Sequence, residues 1–118
     1  MPELSTVVEL PGHIGRAPVD GLDRIGLALA DPIRREVLVR LLDGTQRPSD
    51  LAAAIGTSRS NLSNHLACLR GCGLIDADRA GRHLYYGLVS DQLADALRAL
   101  LVVAATLDDC DETTATQS

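Results

Sequence analysis

Tryptophan, phenylalanine and lysine do not occur anywhere in the chain, and tyrosine occurs only twice. A core without large rings must be built from Leu, Ile, Val and Ala. That suits close helix packing better than a β-sandwich. No apolar run approaches the ~18 residues that cross a bilayer, so no membrane partner is expected. The first residues lack a basic stretch followed by an apolar one, so no secretory leader is expected either. Three cysteines are an odd number and fit poorly with a disulfide framework. A reducing, cytoplasmic setting is the simpler expectation. Nor is there a Cys-x-x-Cys at a helix start after a strand, as a thiol reductase would carry. Neither an enzyme nor an organic cofactor is expected.

The net charge of −5 conceals an uneven distribution. Residues 32–82 hold eight Arg against five acids, whereas residues 83–118 hold one Arg against six acids. The middle of the chain can therefore present a basic face to a polyanion while the ends stay acidic.

Residues 1–20, with three Pro, two Gly and no sustained period, read as a flexible arm. A domain over 21–107 follows. Leu22, Ile25 and Leu29 recur at helical spacing. Asp31 followed by Pro32 is a helix start, with Ile33, Val37, Leu38, Leu41 and Leu42 as the buried stripe and Gly44 as the stop. Pro48-Ser49-Asp50 opens a short third helix with Leu51, Ala52 and Ile55 inward. Gly56-Thr57 breaks it, and Ser58 caps a fourth helix striped by Leu62, Leu66 and Leu69, which Gly71 and Gly73 close. Two short helices about a Gly-containing turn are a helix-turn-helix. Leu84, Tyr86 and Leu88 alternate as in a strand, and Asp78-Arg79-Ala80-Gly81 supplies turn residues, so residues 74–88 read as a hairpin wing. Leu93, Leu97, Leu100, Ala104 and Leu107 then step by four and three along a last helix. So continuous a seam at the end of a small domain wants a second copy of the chain. Residues 108–118 read as an acidic tail carrying Cys110. The fold class is mainly α with a β-hairpin wing (α+β), a winged helix-turn-helix.

With Leu62 set at 0° and about 100° per residue, Leu66 and Leu69 lie within about 40° of it. Ser60, Ser63, Asn64 and Ala67 point the other way, forming a small, polar, uncharged face that can sit deep in a major groove. Asn61 and Asn64 suit adenine edges, and Ser suits most bases. Arg59 can reach a guanine edge or a phosphate, while Arg79, Arg82 and His83 on the wing can grip phosphates. His65 lies between the core stripe and the outward face, and serves either as a groove contact or as a structural hydrogen-bonder. Double-stranded operator DNA is the partner these residues point to.

The stretches A-L-A-D-P-I-R-R-E-V-L (28–38), D-L-A-A-A-I-G-T-S-R-S-N-L-S-N-H-L-A-C-L-R (50–70), G-L-I (73–75) and G-R-H-L-Y-Y-G-L (81–88) closely resemble the ArsR/SmtB family of metal-responsive repressors. The resemblance covers about residues 21–107. It implies a homodimer held by its first and last helices through Leu22, Ile25, Leu29, Leu93, Leu97, Leu100, Ala104 and Leu107. It also implies that the metal-free protein occupies a pseudo-palindromic operator. Two inducer sites used elsewhere in the family look absent. Residues 46–51 offer no thiol on the third helix, and Asp91 on the last helix is followed by no His. C-L-R-G-C-G, Cys68 to Gly73, resembles the cadmium- and lead-sensing branch. That resemblance implies that a tail cysteine of the other subunit, here Cys110, joins Cys68 and Cys72.

The residues themselves agree with a metal site. Cysteines at i and i+4 share a helix face about 5–6 Å apart at Cβ. Three thiolates without a nearby imidazole favour soft ions, Cd(II) or Pb(II), with Zn(II) and As(III) also able to bind. Arg70 is expected to lower the thiol pKa, and Asp108 or Asp109 could add an oxygen. Two other readings stay open: Cys68 as a small buried hydrophobe, and the thiol pair as an oxidation sensor.

Overall fold

The computed structural model describes the backbone of residues 16–117 and the side chains of residues 18–107. Residues 1–15, most of the expected arm, and the side chains of Asp108, Asp109 and Cys110 lie outside the described residues.

Helix α1 spans Arg16–Leu29, starting ahead of the expected boundary at Gly21. The reason is Pro18. In a first helical turn its missing N–H has no intrahelical partner to lose, so a residue that reads as a loop signal sits at a helix start. Helix α2 spans Pro32–Arg40 and runs into a single 3-10 turn, Leu41–Asp43. Its cap is as expected: the Asp31 carboxylate accepts the N–H groups of Ile33 (2.8 Å) and Arg34 (3.2 Å), with Pro32 at the first helical position. Helix α3 is Pro48–Ile55 and α4 is Arg59–Gly71. Ser58 Oγ accepts the Asn61 N–H at 3.0 Å and starts α4.

The end of α4 is equally well defined. Gly73 adopts φ +82, the Leu74 N–H reaches Leu69 O (3.1 Å), and the Gly73 N–H reaches Arg70 O (3.0 Å). This is a Schellman motif with Cys72 as the C-cap.

Strands β1 (Ile75–Ala80) and β2 (His83–Leu88) pair antiparallel, with Ile75 opposite Leu88, Ala77 opposite Tyr86 and Ala80 opposite His83. The turn is therefore Gly81-Arg82. Asp78, Arg79 and Ala80, expected in the turn, belong to β1. Gly81 takes φ +67 while Arg82 does not take positive φ, which is the pattern of a II′ hairpin turn. One further bridge joins Gln46 to Tyr86 through two backbone hydrogen bonds (3.0 and 2.8 Å), fastening the wing to the loop before α3.

Helix α5 spans Asp91–Gln117, with Ser90 Oγ accepting the Leu93 N–H at 3.1 Å. It runs past the expected end at Leu107, because no Gly or Pro follows Asp91 to stop it. No helix among the described residues is long and apolar enough to cross a membrane.

Val37, Leu38, Leu51, Leu62 and Leu69 form the centre of the core, with Ala28, Leu66, Ile75 and Leu97 around them. Each fully buried Leu contributes about 1.5–3 kcal/mol of transfer free energy. Their burial fixes α4 against α2 and α3 by one face and leaves its other faces free.

Candidate nucleic-acid interface and thiol pair

Helix α4 presents three faces. Leu62, Leu66 and Leu69 are buried. Arg59, Ser60, Asn61, Ser63, Asn64 and Ala67 are exposed on the far side, as the wheel requires. Asn61 is partly committed, since its Nδ2 donates to Thr57 Oγ1 at 2.9 Å. Arg79, Arg82 and His83 are exposed on the wing. They meet Arg59 around a single recess of about 260 Å3, whose other cation is Arg47. Arg47 precedes α3, donates to His83 Nδ1 at 3.2 Å and lies 3.5 Å from Asp50. Sequence reasoning missed Arg47. A positive charge at the foot of the first helix of a helix-turn-helix, where that helix crosses the DNA backbone, was the available signal.

The third face of α4 is the stripe His65, Cys68, Cys72, spaced three and four and half-buried. His65 does not join the outward face. Its ring is turned to the α1–α2 junction, with 16% side-chain exposure. Its Nδ1 accepts from Arg34 Nη1 at 3.3 Å and lies 3.8 Å from Asp31 Oδ1. An imidazole therefore stands one turn from Cys68, contrary to the expectation of none nearby, but other groups hold it. Partial burial raises the Asp31 pKa. The N–H groups of Arg34 and Ile33, with the positive charge of Arg34, outweigh this and hold the carboxyl below its usual range.

Burial pushes the Cys72 thiol up, and the charge of Cys68 and its hydrogen bond to Cys72 push it further. The two cysteines lie four residues apart on the same half-buried face of the helix. The cations that pull the Cys72 pKa down are Arg34 and Arg24, not Arg70. Arg70 is two residues from each cysteine, on the opposite side of the helix turn. Two adjoining sulfur donors on a rigid helix end, half-buried and near two guanidiniums, suit a soft thiophilic ion. Among the described residues no third His, Cys, Asp or Glu completes a cluster. Cys110 lies on the backbone of α5.

The residues expected at a dimer seam divide. Leu97 is buried in its own chain at 6% exposure, and Ile25, Leu29 and Leu93 pack half-buried on the same core. Leu22, Leu100, Ala104 and Leu107 are exposed. So are Leu101, Val102 and Val103, which the seam spacing did not include. One apolar groove of about 410 Å3 lies between α1 and α5, lined by Leu22, Ile25, Leu97 and Leu100 among others. A second, of about 280 Å3, lies between α2 and α5.

A family model described as bacterial regulatory protein, arsR family, matches residues 31–77. The HTH-type transcriptional regulator CmtR of Mycobacterium tuberculosis is 53% identical over 87 residues, 74% of this chain and 74% of that one. The NMR structure of the cadmium metal-sensor CMTR from the same organism superposes with a TM-score of 0.62 at 54% identity, covering 70% of this chain and 86% of that chain. The homodimeric winged helix-turn-helix DNA-binding domain Mb0332 from Mycobacterium bovis gives a TM-score of 0.72 at 31% identity, covering 80% and 90% respectively.

Proposed function

Because the chain belongs to the arsR family of bacterial regulatory proteins, we propose that it is a homodimeric, cytoplasmic operator-binding repressor whose thiol pair releases it from DNA on taking up Cd(II) or Pb(II). The two copies of α4 enter successive major grooves about 34 Å apart. Ser60, Asn61, Ser63 and Asn64 face base edges, and Arg59 reaches a base edge or a phosphate. Arg47, Arg79, Arg82 and His83 hold phosphates. Arg47→Ala then lowers the slope of log affinity against log salt by about 1, and the double variant Arg79→Ala/Arg82→Ala lowers it by about 2, as each lost phosphate contact releases about one counterion fewer. Anisotropy titrations of operator DNA across a salt series check this.

The observation that carries the sensor reading is the placement of Cys68 and Cys72 four residues apart on one half-buried face at the C-terminal end of the DNA-reading helix. The partner's Cys110 supplies the third sulfur. Burial that keeps Cys72 protonated disfavours the oxidation reading, since the thiolate is the reactive form. Uptake of the ion weakens operator binding about 5–150-fold, and by linkage operator DNA weakens ion binding by the same factor. Cd(II) added to the purified protein should raise a thiolate-to-metal absorbance in the ultraviolet and dissociate the operator complex. Cys68→Ser and Cys72→Ser should each diminish the absorbance and abolish release. Unchanged release from Cys68→Ser would overturn the reading. Arsenite and peroxide, titrated alongside, separate the alternative inducers.

A further inference from the structure

The Arg34 guanidinium touches two helices besides its own. Its Nη2 donates to Leu27 O at 2.7 Å and its Nε to Ala28 O at 3.4 Å, both at the end of α1. Its Nη1 donates to His65 Nδ1 on α4 at 3.3 Å. The last carbonyls of a helix have no partner within it, so Arg34 caps α1 from outside, and Arg35 adds a bond to Leu29 O at 2.8 Å. These bonds set the angle at which α1 leaves α2. Helix α1 carries Leu22 and Ile25 on the apolar groove it shares with α5. The other arm of the fork ends on the stripe that carries Cys68 and Cys72.

We propose that Arg34 is a positioning residue that couples occupancy of the Cys68–Cys72 pair to the angle between α1 and α4. The proposal rests on the sensor reading above. A guanidinium is a rigid fork with five N–H donors and no acceptor. Ion uptake replaces thiol protons and leaves sulfur as a strong acceptor. An outer-shell donor to a coordinating atom is a recurrent feature of metal sites. Because the donors lie in one rigid plane, a guanidinium that turns toward sulfur loses its alignment on the α1 carbonyls and His65 and loosens those ties. His65, which Arg34 holds, stands one turn from Cys68 on the same half-buried stripe of α4.

The test is the ratio of operator affinity without Cd(II) to that with saturating Cd(II), measured by anisotropy on the full chain. Arg34→Gln should cut that ratio about fivefold or more while ion-free operator affinity stays within about threefold of wild type. The thiolate absorbance should persist, because the sulfurs remain. Arg34→Lys keeps the charge without the fork, and should fall between. A merely structural Arg34 would lower the melting temperature and weaken both affinities together, leaving their ratio intact. Should Arg34→Gln fail to fold, Arg34→Lys and His65→Gln carry the test, and ratios within about twofold of wild type in both overturn the proposal. A wild type that ignores Cd(II) overturns the sensor reading and this proposal together. A responsive wild type with equally responsive variants overturns this proposal alone.

Discussion

Leu100→Glu converts the protein to a folded monomer and lowers operator affinity by about a thousandfold or more, the usual gap between specific and non-specific binding. Leu100 is 49% exposed in the single chain and borders both apolar grooves. Its replacement therefore removes little from the chain's own core. In a seam between copies, a carboxylate on each side would be desolvated without a partner, a cost of several kcal/mol. A monomer places only one α4 on the operator and forfeits the second half-site, whose binding is otherwise intramolecular. Sedimentation velocity gives the mass and circular dichroism the helix content. A dimer of unchanged operator affinity would show that the seam lies elsewhere.

Cadmium affinity should rise steeply with pH. Burial and the neighbouring Cys68 raise the Cys72 pKa, so Cys72 carries its proton through the neutral range and must lose it to bind. Displacing one proton makes affinity about tenfold stronger per pH unit, until the pH passes the thiol pKa. From about pH 6 to about pH 8 Cys72 alone accounts for about a hundredfold, and every other protonated thiol steepens the rise. Chelator competition across that range measures the slope, and Cys72→Ser should reduce it by about one log unit per pH unit. A flat wild-type profile would contradict protonated thiol ligands.

The parts of this structure that sequence reveals are those with local causes. The Asp31-Pro32 start of α2, the Ser58 cap of α4 and the Leu62, Leu66, Leu69 stripe are each set by residues within a turn or two. Pro18 misled because proline signals both a loop and a helix start. The hairpin turn was misplaced because Asp78-Arg79-Ala80 offers turn chemistry, whereas Gly81 supplies the positive φ. A four-three spacing cannot tell a residue buried in its own chain, such as Leu97, from one awaiting a partner, such as Leu100. Contacts between residues distant in sequence were out of reach. Arg34 meets His65 and Arg47 meets His83 across more than thirty positions. For the same reason the nearer Arg70 looked like the cation beside the thiols.

The Gln46–Tyr86 bridge limits how the protein can let go of DNA. A hairpin anchored only at its base could swing outward like a flap. Here β2 is also buttoned part-way along to the loop ahead of α3, and His83 near its tip leans on Arg47. Wing, α3 and α4 thus travel as a single stiff reading head. Loosening the grip then means changing the distance or tilt between the two heads, so that when one is seated the other misses its rung. Spin labels placed within one head should keep their separation when the inducer arrives, whereas labels on opposite heads should not.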